Sequence, residues 1–433
     1  MKKKILVRAP VLSRSGYGEQ ARFAIRSLRE YQDKYEIYVV NIPWGQTSWI
    51  VDDSEERRWM DLTMIKTQHY MEKNQELAKT KPIFDISLQV TIPNEWQKLA
   101  HINIGYTAGI ETNAIAPEWI EKTHLMDQII VVSNHAKMGF MNTTYDVKNN
   151  QTGEVVNNYR CTLTPEVVGY PVRKFKPAKI DLDFETDFNF LAVAQWGVRK
   201  NLENTVKWFV EEFIDQEVGL VLKTNIMNNC TTDAHHMNLR LENLLSGYPE
   251  RKCKIYLIHG DMTDEEMSAL YNHKKVKSLV TLAHGEGFGL PIFEAAYYGL
   301  PVVAPDWSGQ CDYLHMDFKE GKKKSRKTVK KAMFAKVDYD ILPVQPEAVW
   351  DKVLTQDSMW CFPRQGSYKM RLRDVYKNYD SYKEKADTLA KHLVKSYQPD
   401  DMYKLFVSKL NVERVIEASL EPVEQDGKEV FVL

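Results

Sequence analysis

The sequence predicts an α/β fold of two Rossmann-like units, open parallel sheets facing each other across a cleft. Three observations predict it. The chain has 433 residues, too many for one ordinary hydrophobic core. Short apolar runs alternate with helix-period patterns in its first part, the order of parallel β-α-β units. After a charged, weakly periodic stretch from Lys174 to Asp187, the same alternation starts again.

In the first part, Ile5 to Ala9, Tyr35 to Ile42, Phe84 to Val90, Ile102 to Tyr106 and Gln128 to Val132 read as strands. Glu19 to Glu30 reads as an amphipathic helix with Ala21, Ala24, Ile25 and Leu28 on one face, and a further helix starts at Asn134. The polar, Asn-rich run from Asn142 to Cys161 reads as an excursion loop. In the second part, Phe188 to Ala194, Gly219 to Lys223, Lys254 to Ile258, Lys277 to Leu282 and Pro301 to Ala304 read as strands. Asn201 to Phe213, Asp264 to Tyr271 and Pro291 to Tyr298 read as helices between them, and Glu347 to Leu420 as a mostly helical tail. The expected units are 1–180, 181–395 and a final helical segment, 396–433, that packs back on the first unit.

Composition narrows the function classes. Formal net charge is -1, so no global field draws the chain to nucleic acid or an anionic membrane. Five scattered cysteines without a C-x-x-C pair argue against a disulfide framework or zinc site and for a reducing, cytoplasmic setting. No run of 18 apolar residues predicts a membrane span, and Arg8 breaks the N-terminal apolar run, which reads as a strand rather than a signal peptide.

The most informative segment is His284-Gly285-Glu286-Gly287-Phe288-Gly289-Leu290-Pro291-Ile292-Phe293-Glu294. It leaves an apolar strand and opens a helix, with Pro291 in the first turn, where its missing N–H costs nothing. Amides near Phe288, Gly289 and Leu290 at a helix N-terminus make an anion site suited to phosphate. Glu286 and Glu294 flank it. Carboxylates repel phosphate, so their natural task is to accept hydrogen bonds from sugar or ribose hydroxyls. The competing structural reading is a strand-to-helix turn whose glycines only allow tight packing.

This stretch resembles the E-x7-E motif of retaining glycosyltransferases of the GT-B fold, in particular their large family 4, with Glu286 and Glu294 at the two glutamate positions. Ala194-Gln195-Trp196-Gly197-Val198-Arg199-Lys200-Asn201 resembles the family's basic diphosphate loop. Leu222-Lys223-Thr224 and His259-Gly260-Asp261-Met262 resemble the segments that end strands near the nucleotide base, and Ser15-Gly16-Tyr17-Gly18 resembles the glycine loop of the first unit. Thr91-Ile92-Pro93-Asn94-Glu95-Trp96 and Thr107-Ala108-Gly109-Ile110-Glu111-Thr112 are similar to segments of glycosyltransferases encoded by tailed bacteriophages. The resemblance implies transfer of a sugar, with retention, from a nucleoside-diphosphate sugar, UDP favoured, to a hydroxyl acceptor, with no cofactor or metal required. It implies Glu286 facing the donor sugar, Glu294 the ribose, and Arg199 and Lys200 the diphosphate. The donor-side set is completed by Gly16, Gly18, Lys223, His259, Asp261, Met262, Gly287, Phe288, Gly289 and Leu290.

The sequence departs from the family pattern twice. Gln195 stands where many members carry an arginine five residues before the lysine. Thr107-Ala108-Gly109 stands where many carry a cleft histidine at the end of the strand, leaving Glu111 as the nearest carboxylate to position an acceptor hydroxyl. The tract Lys319 to Lys336 gathers Lys322, Lys323, Lys324, Arg326, Lys327, Lys330 and Lys331 in a neutral chain. It reads either as a solvated loop or as a patch for an anionic acceptor such as DNA. The acceptor is accordingly expected to be a hydroxymethylated base in phage DNA. A glycan or lipid-linked sugar is the alternative, and a non-catalytic nucleotide-sugar binder the reading from another class. Asp181-Leu182-Asp183 lies in the expected linker with nothing converging on it, and Trp44, Trp49 and Trp96 stay open between a ring platform and core anchors.

Overall fold

The computed structural model describes residues 2–148, 155–321 and 327–410, and the backbone of 423–425 and 428–430. The first sheet contains β1 (Lys3–Ala9), β2 (Tyr35–Asn41), β3 (Ile86–Val90), β4 (Ile102–Thr107), β5 (Gln128–Val131) and β8 (Glu166–Val167), in the order β2-β1-β3-β4-β5-β8. The second contains β9 (Asn189–Gln195), β10 (Gly219–Asn225), β11 (Lys254–Ile258), β12 (Val276–Val280), β13 (Val302–Pro305) and β16 (Ala335–Val337), in the order β11-β10-β9-β12-β13-β16. Every pairing within both sheets is parallel. Parallel strands need crossovers, and helices supply them. These are α1 (Gly16–Arg29), α2 (Glu55–Lys73), α3 (Gln75–Ala78), α4 (Pro117–Thr123) and α5 (Asn134–Asn142) on the first sheet. On the second they are α6 (Leu202–Phe213), α7 (Thr231–Leu245), α8 (Asp264–Tyr271) and α9 (Leu290–Tyr297), followed by α10 (Gln365–Lys377), α11 (Tyr379–Ser396) and α12 (Pro399–Lys409).

The strand orders decide where ligands go. In an open parallel sheet the crevice lies where the order reverses, beyond the carboxyl ends of two neighbouring strands. In the first sheet that point lies between β1 and β3, and in the second between β9 and β12. The loops leaving these four strands are the Gly16–Gly18 loop, the Thr91–Trp96 segment, the Arg199–Lys200 turn and the Glu286 motif.

Helix α1 shows why the sequence folds this way locally. Ser15 caps it by accepting from the Gly18 N–H at 3.0 Å, and its apolar face, Ala21, Ala24, Ile25 and Leu28, is fully buried. Against the same helix packs α12, whose Phe406 ring lies 5.3 Å from Phe23 and 5.2 Å from Tyr106 of β4. Burial of one such ring contributes roughly 1.5–3 kcal/mol.

Three segments differ from expectation. The Asn142 to Cys161 run is not a plain loop: Tyr145–Lys148 (β6) and Val155–Tyr159 (β7) pair as an antiparallel ladder. Its exposed side chains leave no apolar alternation to read. The basic tract also pairs, as His315–Glu320 (β14) with Lys327–Ala332 (β15). Cross-strand charge pairs such as Lys330 opposite Asp317 support that ladder without a buried face. Lys322, Lys323, Lys324 and Arg326 lie outside the described residues, whereas Lys327 opens β15 and is exposed. In the tail, Tyr339–Pro343 (β17) and Met359–Pro363 (β18) form a further antiparallel pair ahead of the helices. Among the described residues no helix is long and apolar enough to cross a membrane.

Candidate active site

At the switch point of the second sheet, β9 ends in a short 3-10 turn, Val198–Lys200, closed by Asn201 in the left-handed region at φ 51°. The Asn201 amide donates to the Leu282 carbonyl at 3.2 Å and the Arg199 carbonyl accepts from the His284 N–H at 2.8 Å. The loops after β9 and β12 are thereby sewn together, which sets Arg199 and Lys200 beside the Glu286 motif.

The side chains then form one charge cluster. Lys200 Nζ lies 2.5 Å from Glu286 Oε1, and Arg199 NH1 lies 3.2 Å from Glu286 Oε2, 3.1 Å from Glu111 Oε1 and 2.8 Å from the Gly285 carbonyl it donates to. Burial pushes the Glu286 carboxyl up, but the adjoining Lys200 and Arg199 cations outweigh it and hold it below the ordinary carboxylate value. Burial together with the Arg199 charge lowers Lys200, and Glu286 only partly restores it. Glu286 is therefore an anion at neutral pH, held between two cations.

Glu111 comes from the loop after β4, so the cluster spans both sheets. The backbones meet equally closely. A Cβ on Gly285 would stand 2.7 Å from the Glu111 carbonyl, and one on Gly287 2.6 Å from the Ala108 carbonyl. Only glycine tolerates these approaches. Gly289 has φ +87° and precedes α9, with Pro291 in the first turn. The N–H groups of Phe288, Gly289 and Leu290 find no acceptor among the described residues. Three free amides at a helix N-terminus beside two cations make an anion cradle. Ser308, which sequence reasoning missed, accepts from the Glu286 N–H at 2.8 Å and holds the motif in place.

Glu294 lies one helical turn deeper. Its Oε2 accepts from the Tyr271 hydroxyl at 2.8 Å, and burial pushes its carboxyl up to about 7. The base-side residues gather at the ends of β10 and β11. Lys223 Nζ donates to the Gly260 carbonyl at 2.5 Å. Asp261 accepts from Ser48 at 2.9 Å and from Asn229 at 2.7 Å, and the Met262 carbonyl accepts from Arg14 at 3.4 Å. Ser48 and Arg14 belong to the first sheet's loops, so this is a second bridge between the sheets. His259 is drawn aside: its Nε2 pairs with Asp233 at 2.8 Å, and Asp233 also takes the Ile226 and Met227 N–H groups. His284 stacks on Trp360 with centroids 4.8 Å apart, a core position.

On the first sheet the two glycines separate. A Cβ on Gly18 would lie 1.9 Å from the Ser13 carbonyl, so this glycine serves packing, whereas Gly16 is exposed with nothing within 4 Å. Between them Tyr17, another residue sequence reasoning missed, places its hydroxyl 2.7 Å from Thr107 Oγ1 and accepts from the Ala108 N–H at 3.2 Å. Of the three tryptophans, Trp96 is fully buried, Trp49 is half-exposed, and Trp44 packs on Tyr17 with centroids 4.2 Å apart. Asp183 is fully exposed near Lys275, and among the described residues no three His, Cys, Asp or Glu side chains converge as a metal site.

No protein-family model and no curated protein sequence matches the chain. Solved structures do match in fold. A glycosyltransferase from Rickettsia africae aligns over 96% of this chain and 100% of its own, with a TM-score of 0.58 and 11% identity. Anabaena HepE, solved with UDP and glucose, aligns over 94% and 99%, with a TM-score of 0.53 and 11% identity. Against S. aureus TarM in a complex with UDP the chain spans 58% of that protein's length, using 79% of its own, at a TM-score of 0.46 and 14% identity. Two six-stranded parallel sheets with flanking helices give this chain the GT-B fold.

Proposed function

We propose that the chain is a retaining glycosyltransferase that uses a UDP-sugar, with residues 1–180 taking the acceptor and 181–395 the donor. The observation that carries this reading is the Arg199–Lys200–Glu286 cluster beside three free amides at the start of α9. Negative charge grows on the nucleoside diphosphate as the bond to the sugar breaks. Cations and amides fixed in advance stabilise that charge with no reorganisation. The acceptor oxygen replaces the diphosphate oxygen on the anomeric carbon, and the hydroxyl proton leaves with the diphosphate. In the free protein Glu286 and Glu111 act as counter-ions for the two cations. An arriving diphosphate takes over that role and frees Glu286 to face the donor sugar. Retention of configuration, the UDP preference and the ribose role of Glu294 rest on the motif resemblance, and the UDP-bound HepE structure of the same fold supports the donor class.

For the acceptor we propose a hydroxymethylated base in DNA. Its support is the basic β14–β15 ladder, which carries Lys319, Lys327, Lys330 and Lys331. The ladder starts three residues after Asp312, which accepts from the Asn134 N–H of the first sheet's α5 at 2.8 Å. A ladder rooted at the seam is placed to hold phosphates of a strand whose base enters the cleft. The test is a mass-spectrometry screen that pairs UDP-, GDP- and ADP-sugars with hydroxymethylated duplex DNA, unmodified DNA and an oligosaccharide panel. A pentose or hexose gain on the modified DNA alone is expected. A gain on glycans alone overturns the DNA acceptor, and no gain on any acceptor together with tight UDP-sugar binding favours a non-catalytic binder.

A further inference from the structure

The switch point of the first sheet carries a wall that the donor site does not use. Tyr17 and Trp44 stack there, both partly exposed, from the loops after β1 and β2. The segment after β3 adds Glu95. Its carboxylate is half-buried, yet it accepts no hydrogen bond and forms no ion pair among the described residues. Arg8 comes near but donates, at 3.3 Å, to the Glu95 main-chain carbonyl instead. The same segment holds two more buried polar atoms without a partner among the described residues, Thr91 Oγ1 and Asn94 Oδ1. Burying polar groups without partners is costly, and a cluster of them at a sheet's ligand-binding edge marks a site completed by something else.

The position fits an acceptor. The Tyr17 hydroxyl is fastened to Thr107 and Ala108, and the Ala108 carbonyl is the group on which Gly287 presses. The wall therefore adjoins the Glu286 motif from the opposite sheet. The negative charges of both Glu111 and Glu95 reach the Tyr17 hydroxyl. Two carboxylates repel an anion, and an aromatic pair offers a flat apolar face.

We infer that Tyr17, Trp44 and Glu95 form the acceptor subsite. It takes a neutral ring that carries a hydroxyl, stacked on the aromatic pair, with that hydroxyl donating to the Glu95 carboxylate. This rests on the glycosyltransferase reading and deepens it: the phosphates of a nucleic acid stay on the basic ladder, and only the neutral ring enters. Glu95 and Trp44 are specificity residues for the acceptor and leave the donor untouched.

Saturation-transfer NMR in the presence of UDP tests it with two probes, 5-hydroxymethyl-2′-deoxycytidine and methyl α-D-glucopyranoside. Wild type is expected to transfer saturation to the ring protons of one probe, and which probe responds tells a base from a sugar. Trp44→Ala and Glu95→Gln are each expected to weaken that probe about tenfold, the effect of losing one stacked ring or one charged hydrogen bond. UDP affinity, read by calorimetry, stays within about twofold, because neither side chain reaches the donor side. Trp44→Phe keeps a ring and restores most of the binding, which a loss of folding would not allow. Wild type that binds UDP but neither probe, or variants that bind the responding probe as wild type does, overturn the subsite and leave the donor reading standing. Failure to bind UDP and every nucleotide-sugar overturns the donor reading itself.

Discussion

The two switch points of this molecule solve opposite problems. That of the second sheet is dense in charge, and its charges are paired in advance: Lys200 and Arg199 with Glu286, and Arg199 again with Glu111. That of the first sheet is aromatic and leaves Glu95 without a partner among the described residues. The difference teaches what each waits for. A site for a dianion needs cations held rigidly, and buried cations need counter-ions until the ligand comes. A site for a neutral ring needs a flat face and one strong acceptor, and one half-buried carboxylate can wait in contact with water.

The sharpest way to break this comparison is Glu286→Ala. It removes the group facing the donor sugar and leaves two cations free, so turnover should fall at least about hundredfold. UDP affinity should hold or rise, because the cations lose a competitor. Rates by mass spectrometry and affinity by calorimetry would decide it, and a parallel loss of both would mean that Glu286 only props up the loop.

Lys200→Ala comes next. It removes one charged partner of the diphosphate and strands part of the Glu286 charge, so UDP should bind about tenfold to hundredfold more weakly. Unchanged affinity would move the diphosphate away from this turn.

Gly309→Ala probes the seam rather than the charges. Its Cβ would stand 2.0 Å from the Gly287 carbonyl, an overlap that backbone has to relieve. A cost of about 1–3 kcal/mol is expected, seen as a lower Tm. A Tm equal to that of wild type would show that the motif loop shifts freely.

Glu294 gives a pH test. Burial raises its carboxyl to about 7, above the ordinary glutamate value of 4.5. The folded state thus keeps a proton that the unfolded chain releases. This contribution is fully present below about 4.5 and is lost as the pH rises through 7. Glu294→Gln removes that slope, so the Tm difference in its favour should widen from pH 5 to pH 8. UDP affinity of wild type should rise over the same window, as the carboxylate becomes available to ribose hydroxyls. A Tm difference that stays flat with pH would show that the carboxyl is not protonated in the fold.

The smallest effect concerns the ladder. Lys330→Gln with Lys331→Gln should lower the slope of log affinity for hydroxymethylated duplex against log salt by about 0.9 for each phosphate that is no longer neutralised. An unchanged slope would leave the ladder a solvated feature.

Much of this was legible in the sequence. The strands of both sheets were readable because buried parallel strands are continuous apolar runs, and α1 because its apolar positions recur at helical spacing. Helix α2 was not: only Met60, Thr63 and Thr67 of it are buried, too thin a stripe to show as a period. The β6–β7 and β14–β15 ladders escaped for the same reason, since neither has a buried face. Glu286, Lys200 and Arg199 were found because a short motif at a strand end carries them within a few residues. Tyr17 and Ser308 were missed because their partners lie 90 and 22 residues away in sequence.

The sequence by itself thus determined the two α/β sheets, the strand-to-helix anion cradle and the presence of paired carboxylates and cations. These are local properties, written in apolar spacing, turn residues and a helix start. Only the tertiary structure decided that Glu111 crosses from one sheet to Arg199 on the other, that His259 is drawn away to Asp233, and that Trp44 and Glu95 line a wall while Trp96 is buried. The physical reason is that strand order and the packing of one sheet's loops against the other's bring residues together across long stretches of chain. A charge or a ring gains its role from the neighbours that arrive there.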